Sequence, residues 1–421
     1  MLTANPCQPP DHQSPHLVGL RDQAQMSNTS PQFRAASLAE ESDYASQSHH
    51  LDSLTRLGRQ AFQQGQLAEA LRIFEEAWKL AVSAQLPAEA ARLQGWCGLI
   101  YRRSGRSRLA LQAYQNALSF YRRDPDSRWS AFLISEIGQA LHLQGRLSKA
   151  FLYCLVGLRL HLQLAEQSRG NALAIGMSHA ALGLVWHSFR ELAHAEKHFH
   201  AALTYYQQAA YQPGIATLFY YQGLIALAKT QLKQAAELFQ QAHMLARDCK
   251  GDEEVALLIE HGLGRLAACK KSWPEAISRL RNVCEGAQRL QNRYLQAHSF
   301  LEMAGVLQHS GQYAAANHYC LQAQALARQE DYHLLLAHSE ILLGDLLMTQ
   351  GQVAQALAHY REGCSLSALT EAQTHLQARQ RLIEGLSSVS QGFGKRSEKF
   401  CQQQKQITGS SLLEGQADEG L

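Results

Sequence analysis

Charge is scarce in this chain: Asp, Glu, Lys and Arg make up 18% of 421 residues, and the 39 basic residues nearly balance the 36 acidic ones. A net charge of +3 supplies no basic field for a phosphate backbone, and no helix-turn-helix reader is recognisable, so no nucleic-acid partner is expected. With 46% hydrophobic residues the chain also lacks the composition of a wholly disordered one. Paired cysteines are missing. The nine, at 7, 97, 154, 249, 269, 284, 320, 364 and 401, never stand as CxxC, which argues against a zinc ribbon or a disulfide framework and for a reducing compartment. Residues 1–20 are broken by prolines, with no apolar run after a basic start, so no signal peptide and a cytoplasmic location are expected.

Long apolar runs are absent too. The longest stretch without a charged residue runs from His198 to Ala228, but Gln207, Gln208, Gln212, Pro213 and Gln222 interrupt it, so no transmembrane segment is expected. Catalytic signatures are equally lacking: there is no HExxH, GxSxG or Walker loop. Gly262, Gly264 and Ala267 imitate a dinucleotide loop, but they lie in a helical segment with no strand before it. The chain is therefore expected not to be an enzyme and to need no cofactor.

What the sequence does contain is a repeat. A small residue is followed by alanine at plus twelve, a large or apolar residue at plus sixteen and a small or aliphatic one at plus nineteen. The sets run Gly58, Ala70, Phe74, Ala77; Gly98, Ala110, Tyr114, Ala117; Gly138, Ala150, Cys154, Gly157; and Gly183, Ala195, Phe199, Ala202. They continue with Gly223, Ala235, Phe239, Ala242; Gly264, Ala276, Leu280, Val283; Ala304, Ala316, Cys320, Ala323; and Gly344, Ala356, Tyr360, Gly363. Successive starts are 40, 40, 45, 40, 41, 40 and 40 residues apart. A small residue on one helix facing alanine on the next lets two backbones approach while the large side chain fills the space beside them. Seven residues after the small residue a turn glycine appears in five repeats, at 65, 105, 145, 311 and 351, whereas Arg190, Thr230 and Lys271 occupy that turn in the fourth to sixth. Pro87, Pro125, Pro213 and Pro274 all fall where this register starts a helix, the one place in a helix that tolerates proline.

This pattern resembles the tetratricopeptide repeat, in the longer 40-residue form of kinesin light chains, LGN-type adaptors and Rap-type regulators. The resemblance implies an all-α, right-handed superhelical solenoid of about eight helical hairpins over residues 49–386, closed by a capping helix at about 366–386. Residues 1–48 and 387–421, rich in Ser and Gln with little apolar content, are expected to be disordered tails. The implied function is a protein-interaction scaffold or assembly adaptor that holds a partner protein or peptide segment in the concave groove. The alternative is a peptide-sensing regulator of the Rap type whose superhelix changes pitch. The adaptors that grip a terminal carboxylate use Lys and Asn on their first helices. The comparable positions here are Thr55, Arg59, Gly95 and Leu99, which do not match.

In such a stack the first helices of the hairpins line the concave face, so positions at helical spacing about each small residue give its surface. The candidate groove residues are Leu184, His187, Tyr220, Leu224, Leu227 and Arg265. The apolar ones either hold a partner's apolar side or belong to the core, since an aliphatic stripe serves both. Residues 91–130 hold eight arginines against two aspartates, and Arg92, Arg102, Arg103 and Arg106 form a candidate basic patch for an acidic partner, or a solvated face. His194 and His198 stand one helical turn apart, but no third ligand is fixed beside them, so no metal is expected.

Overall fold

The computed structural model describes residues 31–121, 127–167, 171–248, 253–368 and 370. Among them sixteen α-helices and no strand occur. The hairpins are α1 (Pro31–Gln63) with α2 (Leu67–Ser83), α3 (Pro87–Arg103) with α4 (Ser107–Tyr121), α5 (Arg128–Leu143) with α6 (Leu147–Glu166), and α7 (Ala172–Ser188) with α8 (Leu192–Gln208). Then come α9 (Gln212–Ala228) with α10 (Leu232–Asp248), α11 (Glu253–Cys269) with α12 (Trp273–Arg289), α13 (Arg293–His309) with α14 (Tyr313–Gln329), and α15 (His333–Thr349) with α16 (Val353–Ala368). Each helix packs on its chain neighbours, and each odd-numbered helix from α3 to α7 and from α9 to α15 also touches the next odd one. That is the contact pattern of an all-α solenoid.

The repeat positions do in space what their spacing asks. A Cβ added at Gly58, Gly98, Gly138, Gly183, Gly223, Gly264 or Gly344 would press on Phe74, Tyr114, Cys154, Phe199, Phe239, Leu280 or Tyr360, the large residue of the same set in every case. The eight alanines at plus twelve have no exposed surface. Phe239 is enclosed by two glycines, because a Cβ at either Gly223 or Gly262 would lie 2.5 Å from its Cε1. Gly262 thus has a packing role between two repeats. A Gly223→Leu variant is expected to lose about 1–3 kcal/mol by overpacking this contact, read as a lower urea midpoint with unchanged slope; an unchanged midpoint would show that the register is wrong.

The hairpin turns explain the glycines and the exceptions. Gly65, Gly105, Gly145, Gly311 and Gly351 have φ between +72° and +81°, the left-handed conformation that closes a helix C-terminus. Arg190, Thr230 and Lys271 adopt the same conformation at φ of +66°, +60° and +60°. The turn geometry is therefore common to all eight hairpins, and these three carry its strain in a side-chain-bearing residue. Pro87, Pro213 and Pro274 sit in the first turns of α3, α9 and α12. Pro125 lies outside the described residues.

One boundary shifts. The first helix begins at Pro31, so residues 31–48, placed by composition in the N-terminal tail, extend α1 instead. Residues 1–30 and 371–421, which include the rest of that tail, most of the expected capping helix and the C-terminal tail, lie outside the described residues. No helix among the described residues is long and apolar enough to cross a membrane.

Candidate functional site: a cavity inside a closed solenoid

The solenoid curves until distant turns meet. Arg293 N, at the start of α13, donates to Ser104 O in the α3–α4 turn at 3.1 Å, and the Tyr332 hydroxyl donates to Gly105 O in the same turn. Ser107 Oγ donates to Glu330 O at 2.9 Å, and His333 N to Gln144 O in the α5–α6 turn at 3.1 Å. Arg103 adds an ion pair across the ring to Glu254, at the start of α11, at 3.1 Å. A glycine is required where this closure is tightest: a Cβ at Gly105 would run into the backbone N of Tyr294 and lie 2.9 Å from the Tyr332 oxygen.

Closure encloses a cavity of about 630 Å³ whose helical lining comes from the odd-numbered helices α3 to α15. The lining includes the aliphatic Leu143, Leu184, Leu258 and Leu301 together with Arg190, Arg265, His187, His298 and His338. Four arginines and two glutamates line it in all, so the interior has an excess of positive charge. Burial, then Arg265, Arg190, His142 and His298, push His187 down to about 4, and burial, then His298 and the same arginines, hold His338 near 4 despite Glu302. Both imidazoles are neutral at pH 7. Burial would raise the Glu302 carboxyl, but Arg265, His298, His261 and His338 outweigh it and hold it at about 2. The cavity thus combines neutral rings and aliphatic surface with a few fixed charges.

All six groove residues expected from the sequence, Leu184, His187, Tyr220, Leu224, Leu227 and Arg265, line this one cavity. Their exposure divides them. Leu184, His187 and Arg265 are half-buried, whereas Tyr220, Leu224 and Leu227 are 3%, 6% and 7% exposed and pack in a core cluster with Phe239 and Leu266. The two readings of the apolar stripe therefore merge, since these three are core residues whose edges form the wall. Leu224→Glu, which would have been harmless in an open groove, is now expected to cost about 2–3 kcal/mol, because it removes a buried leucine and places a carboxylate there. A thermal melt checks this: an unshifted midpoint would put Leu224 in solvent.

The basic patch is corrected by the structure. Arg92 pairs with Glu89, Arg102 Nε with Glu136 Oε2 at 2.6 Å, and Arg103 with Glu254. These three are largely buried and satisfied internally, so they offer no continuous surface for an acidic partner. Arg106 is half-buried, and its Nε has no partner among the described residues. The positive residue that sequence reasoning missed is Arg190, which is exposed and lines the cavity from a hairpin turn. Its sign was the departure from glycine at that turn. His194 and His198 separate as well: His194 stacks on Trp186 with ring centroids 4.8 Å apart, and His198 Nδ1 lies 3.1 Å from His179 Nδ1.

No protein-family model matches the chain, and no curated protein matches it. Solved structures do. A Rap protein complexed with competence and sporulation factor superimposes with a TM-score of 0.54 at 9% identity, covering 82% of this chain and 99% of that one. A chain of the APC/C hetero-tetramer Cut9–Hcn1 gives 0.51 at 16% identity over 79% of this chain, which spans only 55% of that chain's length. NprR in complex with its cognate peptide NprX gives 0.50 at 13% identity over 80% of this chain and 99% of that one. The fold is that of a tetratricopeptide-type repeat solenoid.

Proposed function

We propose that this chain is a non-enzymatic interaction scaffold that takes a segment of a partner protein into its central cavity. The observation that carries the reading is convergence: half-buried side chains from odd-numbered helices along most of the solenoid meet around one space instead of being spread along a surface. Its volume suits a few residues of chain, and its chemistry suits apolar side chains against Leu184, Leu258 and Leu301 with an acidic group at Arg190. Arg190 is the anion anchor because it has no carboxylate partner among the described residues, whereas Arg102, Arg103 and Arg265 each face one.

A display selection of random peptides on the full chain tests this. Enrichment of acidic, apolar sequences whose binding falls at least about tenfold in Arg190→Glu and in Leu184→Glu is the expected result. Arg190 is exposed and Leu184 only half-buried, so both variants should keep their helicity. Peptides that bind both variants as well as wild type would move binding out of the cavity.

The closure favours a second reading, a peptide-sensing regulator. Four hydrogen bonds and one ion pair join the distant turns. At roughly 0.5–1.5 kcal/mol net per hydrogen bond, the closure is of the size that binding of one peptide can tip. A selected peptide that changes the radius of gyration by small-angle scattering supports sensing; an unchanged radius supports a rigid scaffold.

A further inference from the structure

At the cavity, where His298 and Glu302 line the wall, α11 and α13 bring three potential metal ligands together. His298 and Glu302 stand one turn apart on α13, and His261 faces them from α11. One potential ligand atom from each of the three lies within 4.8 Å of the other two. We propose that His261, His298 and Glu302 bind a divalent transition-metal ion of the zinc class.

The second, independent observation concerns His261. It has no exposed surface, its Nδ1 lies 3.1 Å from the Tyr220 hydroxyl, and its Nε2 is buried with no hydrogen-bond partner. A buried nitrogen left unpaired is costly unless something ligates it. If Nδ1 carries the proton and donates it to Tyr220 Oη, the Nε2 lone pair is free, which is how metal-bound imidazoles are usually oriented. His298 is held by Tyr294, whose ring stacks on it at 6.1 Å and 12°. Glu302 accepts no hydrogen bond among the described residues, and its ion pair to Arg265 Nε is long, at 3.7 Å.

Ligand chemistry narrows the ion. Two imidazoles and one carboxylate suit zinc, cobalt or iron(II) and not calcium or magnesium, which take all-oxygen shells. Bonds of about 2.0–2.1 Å in tetrahedral geometry need ligand atoms roughly 3.4 Å apart, so the three would draw in by about 1 Å. Arg265 opposes the ion by its charge and by holding Glu302, so metal and arginine compete for one carboxylate. This site does not depend on partner binding, and either can fail alone.

The test uses the full chain loaded with Co²⁺, then Zn²⁺, after chelator treatment. We expect one tightly held equivalent by elemental analysis and a Co²⁺ spectrum without a thiolate charge-transfer band. Glu302→Gln, nearly isosteric, and His298→Ala should each lose it with helicity retained, while Arg265→Gln should tighten binding by about tenfold or more through loss of a nearby like charge. No stoichiometric metal on the wild-type chain would overturn the proposal whatever the variants do. A thiolate band, pointing to cysteines such as Cys269, would overturn it too, as would undiminished binding by Glu302→Gln.

Discussion

Replacing Gly105 by valine is expected to cost about 3–5 kcal/mol and to open the ring. Two effects add. A β-branched residue at φ +72° pays about 1–2 kcal/mol for the left-handed backbone. The new Cβ also meets the Tyr294 backbone and the Tyr332 hydroxyl, so the α3–α4 turn must part from its distant partners, losing the bonds to Arg293 N and from Tyr332. Gly65→Val supplies the control, because Gly65 has φ +75° and nothing within 4 Å of its added Cβ. It should cost only the backbone part. The radius of gyration should increase for Gly105→Val and not for Gly65→Val. Equal effects of the two on stability and size would mean that the solenoid is not closed in solution.

The second large effect is expected at Glu136, a residue with almost no exposed surface. Its carboxylate accepts from Arg102 Nε at 2.6 Å, the Tyr114 hydroxyl at 2.8 Å and Gln139 Nε2 at 2.9 Å. Glu136→Ala removes the carboxylate that faces the largely buried Arg102 and the acceptor of a fully buried tyrosine's hydroxyl. Breaking such a pair from one side costs about 3–5 kcal/mol, most of it the uncompensated charge. Equilibrium denaturation measures it. The double variant Glu136→Ala, Arg102→Met should recover part of the loss, because it also removes the buried cation that Glu136 offsets; no recovery would mean that the network does not act as a unit.

How much of this was legible in the sequence follows from what kind of physics each feature uses. The hairpins were legible because they rest on contacts between residues sixteen apart, made by a glycine in seven of the eight: Gly183 against Phe199 and Gly344 against Tyr360 are the same local event. That Tyr220, Leu224 and Leu227 share one helix face follows from the same spacing about Gly223, and all three line the cavity. Their burial was not legible, because it depends on how tightly repeats stack, a quantity set by Gly262 and Leu266 in the next hairpin. Nor was the closure: Ser107 meets Glu330, and Tyr332 meets Gly105, across more than two hundred residues without any shared motif. Arg102 and Arg103 look like free charge in the sequence because their carboxylates, Glu136 and Glu254, lie in other repeats.

The surface that rivals the cavity as the proposed partner site is the exposed aliphatic stretch of α6, where Leu152, Leu155 and Val156 are 58%, 45% and 47% exposed. Site-specific photocrosslinking decides between them most directly. A photoreactive residue would be placed at Leu184 inside the cavity, or at Leu152 outside it, and both proteins irradiated in a native lysate after their helicity is verified. The account predicts one protein crosslinked from position 184, competed away by a selected acidic peptide and absent from the Arg190→Glu background. Crosslinks from position 152 alone, unaffected by the peptide or by Arg190→Glu, would contradict it.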